Sequence, residues 1–154
     1  MKVVFTKGSG KYDQMDVIRE GSAVESIDCP KQGIIPHDMV HFAVESTLEK
    51  RGFIGRVLDG EPATFRMQAD AESDAVERLV EVFQADGWSG WTSSPQDMLD
   101  LYAVTCKARG CTPLKIDAAG VDGVRRTLLD LTDRWQATAV GESLALRRGE
   151  SSHA

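Results

Sequence analysis

Two of the three histidines in the chain, His37 and His41, are four residues apart and follow directly after Pro36. A proline in this place is typical of a helix start, and residues four apart on a helix share one face. Two neutral imidazoles on one face can bind the same zinc ion, or another divalent transition metal. The spacing therefore predicts a metal site on this helix.

Two acidic residues of the same stretch are candidates for the rest of such a site. Glu45 follows His41 by four residues and continues the histidine row, so it is the expected third metal ligand. Asp38 directly follows the first histidine, as the general base does in the H-E-x-x-H motif of metallohydrolases. A helical wheel at ~100° per residue nevertheless turns Asp38 away from the histidine row. Despite this orientation of Asp38, the candidate catalytic residues are Asp38 and Glu45.

The string from His37 to His41 resembles the H-D-x-x-H zinc motif of a family of ubiquinone-biosynthesis proteins. The resemblance covers these five residues. The glutamate that this family places twelve residues after the second histidine would fall on Phe53, so that family's further ligand has no counterpart here.

The same residues also have an interpretation without metal. His37 would then be a polar residue of the first helical turn, and His41 a histidine at the edge of the core, bonded to backbone or solvent. Two functions stay open on this basis. One is a small binding or interaction domain with no complete catalytic constellation. The other is a metal-dependent hydrolase built on His37, His41 and Glu45, in which the metal activates a water molecule.

Two further pairs of residues are candidates for function. Trp88 and Trp91 are linked by Ser-Gly and could form an aromatic wall for a ligand or a partner, or else cover the end of the core. Cys106 and Cys111 are separated by four residues, some of them basic, which permits a redox or metal role. The alternative is that Cys106 fills the inner face of its helix.

Charged pairs at helical spacing predict solvated helix faces. Glu77 with Glu81 is one such pair, and Arg125 with Asp130 is another.

The pattern along the chain predicts an α+β fold. The first thirty residues contain short apolar runs between Gly-containing turns, which indicates a three-stranded antiparallel meander. About four helices follow, and the alternation of Val140, Leu144 and Leu146 predicts a late C-terminal strand. For residues 53–68 the pattern leaves the structure open, with a hairpin at Asp59-Gly60 as one alternative. The predicted helices are residues 36–51, 73–85, 95–109 and 121–135.

The length of 154 residues is that of one domain. We expect a single compact α+β domain over residues 1–148, with helices packed on one face of a small sheet, and a flexible tail over 149–154.

Charge and composition argue against several classes of partner. The net charge is −6 and the basic residues are scattered, which argues against a nucleic-acid partner. No apolar stretch is long enough to cross a bilayer, and no N-terminal signal peptide is recognisable, so we expect a cytoplasmic protein without a membrane partner. Three cysteines do not form a disulfide framework, and we expect free thiols.

Overall fold

The computed structural model describes residues 2–19, 24–49, 54 and 71–147. These residues form a four-stranded antiparallel sheet and four α-helices, which confirms the predicted α+β fold class. The segment 53–68, apart from Ile54, and the tail 149–154 lie outside the described residues.

The sheet has the strand order β3-β2-β1-β4, so the late strand joins the free side of the N-terminal meander. Val3 lies opposite Val17 on one side and opposite Leu146 on the other. Residues directly opposite each other on paired strands point to the same face of the sheet, and all three of these side chains are buried in the core on that face. The strands are β1 (Lys2–Thr6), β2 (Tyr12–Ile18), β3 (Glu25–Pro30) and β4 (Ser143–Arg147).

In the described part of the chain, four helices follow the meander and precede β4. Two of them begin with a side-chain cap: Ser94 accepts a hydrogen bond from the Asp97 N–H at 3.1 Å, and Asp117 accepts one from the Gly120 N–H at 2.8 Å. Such caps satisfy backbone donors that have no partner inside the helix. The helices are α1 (His37–Leu48), α2 (Ala71–Trp88), α3 (Pro95–Arg109) and α4 (Ala118–Gln136).

Three of the helices have bounds that differ from the predicted ones. Helix α1 ends at Leu48 rather than Arg51, because Glu49 adopts a left-handed conformation and its N–H bonds to the Glu45 carbonyl. Helix α2 is longer than predicted at both ends. Helix α4 begins three residues earlier than predicted, where Asp117 supplies the cap.

Arg125 is not on a solvated face, contrary to the prediction. Its Nε donates to a carboxylate oxygen of Asp86 at 3.0 Å, and the Asp86 side chain is fully buried. Asp130 instead lies 3.6 Å from Arg134, one turn further along α4. The sequence pattern missed this because Asp86 comes from α2, and periodicity within one helix does not show contacts between helices.

Helix α1 is at the centre of the helical layer and packs against both α2 and α4. Every residue from Met39 to Glu45 is buried, so the helix is covered on all sides over two turns. Its polar residues in this stretch, His41 and Glu45, must therefore find partners inside the protein. None of the described helices is long and apolar enough to cross a membrane.

Candidate metal site

The histidines of α1 meet a glutamate of α2. Glu77 places one carboxylate oxygen 2.7 Å from His41 Nε2 and the other 3.3 Å from His37 Nε2. The three residues each offer one ligand atom, and these atoms all lie within 4.8 Å of one another. Within the described part of the chain, this is the one group of three or more such residues that could hold a metal ion.

Helix geometry accounts for this convergence. His37 and His41 are one turn apart on α1, and their rings lie with centroids 4.8 Å apart in an edge-to-face arrangement. Because α1 packs against α2, this row of rings faces the row on α2 that carries Glu77 and Gln84, two turns apart. Residues far apart in sequence are thus brought together by one helix–helix contact.

The second nitrogen of His41 is also held. Its Nδ1 lies 3.1 Å from a carboxylate oxygen of Glu45. The same oxygen of Glu45 accepts the backbone N–H of Ile54 at 3.1 Å. Glu45 is therefore fixed on the side of the ring opposite to Glu77, and it can orient the imidazole but does not join the cluster of ligand atoms around Glu77.

His37 has a corresponding partner. Its Nδ1 lies 2.8 Å from the side-chain oxygen of Gln84, which is buried. With Nδ1 donating to this oxygen, Nε2 is the nitrogen that faces Glu77: it donates to the carboxylate when protonated and offers its lone pair to a metal when neutral. Each histidine thus has its outer nitrogen bonded and its Nε2 turned to the same glutamate.

The site is closed on the inside and open on one side. The His41 side chain is 2% exposed, whereas His37 is 38% exposed and Glu77 is 24% exposed. A solute can therefore reach the cluster from the end near His37.

Electrostatics at His41 are dominated by its two carboxylate neighbours. Complete burial by itself would lower the pKa of His41, but the hydrogen bonds to Glu45 and Glu77 and their negative charges raise it to about 10. Without a metal, His41 is thus a buried imidazolium held between two carboxylates.

The other two members of the cluster shift in the directions expected of an ion pair. Burial alone would raise the pKa of Glu77, but hydrogen bonds to His37 and His41 and their positive charge hold it well below its usual range. Burial would lower the pKa of His37, but its bonds to Glu77 and Gln84 raise it overall. Positive charge in the cluster, whether from protons on the histidines or from a metal ion, is therefore favoured.

Asp38 lies on the other side of α1. Its Oδ2 is 3.6 Å from the Cys29 thiol on β3. This agrees with the helical wheel, which turned Asp38 away from the histidine row.

Glu77 was missed by the sequence prediction, which placed it with Glu81 on a solvated face. In the structure it contacts both histidines, so that interpretation is wrong. The available signal was the seven-residue spacing of Glu77 and Gln84, which puts two polar residues on one face of α2 around the buried Val80.

The two tryptophans have different surroundings. Trp91 is partly buried against the core, and a Cβ atom added at Gly87 would lie 2.7 Å from its ring. Trp88 is 57% exposed, and its indole N–H donates to the Gln32 carbonyl at 2.7 Å. Trp91 therefore covers the end of the core, and Trp88 alone is available as a surface residue.

All three cysteines are free, and Cys29 and Cys106 are buried. Cys106 lies on the inner face of α3, where the sequence placed it in one of the two alternatives.

Comparison of the chain with protein-family models, with characterised proteins and with solved structures found no match. The proposal of a function therefore depends on the geometry of the site.

Proposed function

We propose that this protein binds one divalent transition-metal ion, zinc being the simplest case, through His37 Nε2, His41 Nε2 and a carboxylate oxygen of Glu77. One observation carries the proposal: the three ligand atoms converge, while the outer nitrogen of each histidine is held by Gln84 or Glu45. Metal-binding histidines almost always donate their second N–H in this way, which fixes the tautomer and the ring orientation.

The separations of the ligand atoms support the same conclusion. Zinc bonds of about 2.0–2.1 Å in a tetrahedral site put neighbouring ligand atoms roughly 3.3 Å apart. The contacts of Glu77 with the two histidines measure 2.7 and 3.3 Å. These two contacts use different oxygens of Glu77, and the full set of ligand atoms lies within 4.8 Å, so the partly exposed side chains of His37 and Glu77 must move closer together to admit an ion in place of protons.

The types of ligand favour a transition metal over calcium or magnesium. Imidazole nitrogens suit zinc, iron and copper, whereas Ca²⁺ and Mg²⁺ prefer sets of oxygen ligands. Two histidines with one carboxylate occur both in zinc hydrolases and in non-haem iron enzymes. We take zinc as the first candidate. A measurement of the affinity for Zn²⁺ and for Fe²⁺ decides between a zinc site and a non-haem iron site.

The number of ligands favours a catalytic rather than a structural metal. Structural zinc sites use four protein ligands, whereas catalytic sites use three and keep a position open for water. Three residues converge within the described part of the chain, and the exposed edge of His37 and Glu77 leaves an approach from solvent. We therefore propose hydrolysis, for which a bound metal lowers the pKa of a water molecule and polarises the substrate.

The surrounding residues would have distinct roles in such a site. Buried His41 and its partner Glu45 form the rigid part, because Glu45 is in turn bonded to the backbone of Ile54. His37 and Glu77 form the accessible part, where a water molecule and a substrate would bind.

Titration of the metal-free protein with Zn²⁺ by isothermal calorimetry tests the binding proposal. We expect one ion per chain, and we expect Glu77→Gln to weaken binding at least 100-fold, because it removes the charged ligand while preserving size. Glu81→Gln is the matched control: Glu81 lies one turn away on α2 and pairs with Arg78, and its loss should leave binding unchanged. Absence of binding by the wild type, or equal binding by Glu77→Gln, would refute the site.

A second measurement tests hydrolysis separately. The zinc-loaded and metal-free proteins are compared with p-nitrophenyl acetate and p-nitrophenyl phosphate as substrates. We expect turnover of one of them by the zinc-loaded wild type and none by zinc-treated Glu77→Gln. Stoichiometric binding without turnover of either compound would instead support a binding domain that uses the metal without hydrolysis.

A further inference from the structure

The C-terminal end of α3 brings Cys106 and Cys111 together. The helix ends at Gly110, which has a φ of 74°, and the Cys111 N–H donates to the Cys106 carbonyl at 3.0 Å. This is the closure in which the side chains at the two ends of the turn usually contact each other. At most helix ends that contact is made by two apolar residues, and here it is made by two thiols.

The surroundings of the two thiols differ. Cys106 is fully buried, whereas Cys111 is half-buried and packs against the same core. The hydrogen bond across the end of the helix holds the two residues side by side. One thiol is therefore accessible from solvent, and the other lies directly behind it.

Neighbouring hydrogen bonds keep the two residues in place. The Leu114 N–H donates to Tyr102 Oη at 3.0 Å, and this hydroxyl donates in turn to the Ala75 carbonyl at 2.8 Å. The segment after Cys111 is thus fastened both to α3 and to α2.

We propose that Cys106 and Cys111 form a reversible dithiol–disulfide site that reacts with low-molecular-weight disulfides of the glutathione type. A disulfide requires Cα atoms about 4.4–6.8 Å apart. A turn closed by a hydrogen bond between the two residues can supply such a separation without unfolding α3. The proposal is independent of the metal site.

The reaction takes place in two thiol–disulfide exchange steps. Cys111, as the thiolate, attacks one sulfur of the small disulfide; the S–S bond of the small molecule breaks, and its other half leaves as a thiol after taking up a proton. Cys106 then loses its proton and attacks Cys111 Sγ, so that the mixed disulfide breaks and the second small thiol leaves. The two protein thiols have been oxidised by two electrons, and the small disulfide has been reduced to two thiols.

Burial decides the order in which the two thiols react. Removal from solvent and the neighbouring Cys111 raise the pKa of Cys106 to about 12, so its thiolate is scarce before a partner is attached. The more accessible Cys111 therefore attacks first, and Cys106 resolves the mixed disulfide.

Cys29 provides an internal control. It is buried on β3, and burial together with the carboxylate of Asp38 raises the pKa of its thiol. It should therefore react only in the unfolded chain.

Incubation of the full-length, metal-free protein with oxidised glutathione at pH 8 tests the proposal. After quenching with acid, free thiols are alkylated and the protein is mapped by mass spectrometry. We expect a product that has lost two hydrogen atoms, with Cys106 and Cys111 cross-linked and Cys29 reduced, and we expect dithiothreitol to restore the starting mass. Cys29→Ser should react like the wild type.

Two variants separate the steps. Cys106→Ser should stop at one glutathione attached to Cys111, and Cys111→Ser should not react in the native state. A stable glutathione adduct on Cys111 of the wild type, or no reaction of the native wild type, would overturn the proposal, even if Cys106→Ser failed to fold. Zinc binding enters none of these measurements, so their outcome is separate from that of the metal site.

Discussion

Glu77 Oε2 lies 2.7 Å from His41 Nε2, on the opposite side of the imidazole from Glu45. The contact joins two helices and leaves a buried ring between two carboxylates. The same position can be filled by a proton, which gives an ion pair, or by a metal ion, which displaces that proton. This competition gives two opposite pH dependences: the stability of the metal-free protein should decrease as the pH rises, whereas its stabilisation by added metal should increase.

Stabilisation by zinc should increase as the pH rises. The pKa of His41 is raised to about 10, so metal binding near neutral pH must release its proton, and affinity should improve about tenfold per pH unit for each proton released. Because the metal binds the folded state, the melting temperature at a fixed zinc concentration should increase more at pH 8 than at pH 6. Scanning fluorimetry measures this.

Two histidine variants serve as controls for that experiment. His41→Ala should abolish the zinc-dependent shift, whereas His153→Ala, near the end of the chain, should preserve it. A shift that is equal at pH 6 and pH 8, or one that survives His41→Ala, would contradict the prediction.

The stability of the metal-free protein should decrease as the pH rises. A raised pKa at His41 stabilises the fold fully below the unfolded value of roughly 6.5, and this stabilisation is lost as the pH rises toward about 10. The loss is at most about 1.4 kcal/mol per pH unit for one proton. Urea midpoints in the presence of a chelator should therefore fall between about pH 6.5 and 7.5, below the range in which unfolded thiols ionise.

Glu77→Gln should flatten that dependence, because it removes one of the two charges that raise the pKa of His41. The lowered pKa of Glu77 adds stability above roughly pH 4.5, which is lost as the pH falls below that value. The control Glu81→Gln should keep the wild-type slope. Identical slopes for both variants would show that the ion pair does not set the stability in this range.

Glu45 should affect metal affinity without being a ligand. It holds the Nδ1 of His41 and accepts the Ile54 N–H. Glu45→Gln keeps an acceptor for one of these donors and should weaken zinc binding about 10–100-fold, the usual effect of losing an outer-shell partner. Calorimetric titration compares it with Glu77→Gln, and a larger loss for Glu45→Gln would show that the roles of the two glutamates are reversed.

Elements that depend on local pattern were predictable from sequence. The meander follows from short alternating runs between glycine turns, and α3 follows from Ser94 as cap and Gly110 as terminator. The boundaries of α1 were less predictable, because Glu49 adopts a left-handed conformation that the sequence pattern disfavours for this residue type.

Two of the three proposed ligands were predictable in the same sense. The four-residue spacing places His37 and His41 on one face whatever the tertiary structure. Glu77 depends on the packing of α1 against α2, and its own spacing to Glu81 is that of a solvated pair. The seven-residue spacing of Glu77 and Gln84 marks a polar row on α2, but periodicity within one helix does not show which other helix that row meets.

The buried pair of Arg125 and Asp86 should contribute strongly to stability. Asp86 is fully buried and accepts hydrogen bonds from Arg125 and from the Ser93 N–H. Arg125→Met should lower the free energy of unfolding by about 3–5 kcal/mol, because the buried carboxylate loses its counter-charge. Arg126→Met, on the exposed side of α4, should change it by less than about 0.5 kcal/mol. Equal urea midpoints for the two variants would contradict this.

The position of the metal tests the central claim most directly. Crystals of the zinc-loaded protein are measured on both sides of the zinc absorption edge, and the anomalous difference map locates the ion. We predict one peak about 2.0–2.2 Å from His37 Nε2, His41 Nε2 and a Glu77 oxygen, with Glu45 still bonded to Nδ1 of His41. A peak on Glu45, or no peak at the cluster with Glu77 still bonded directly to His41, would contradict the account.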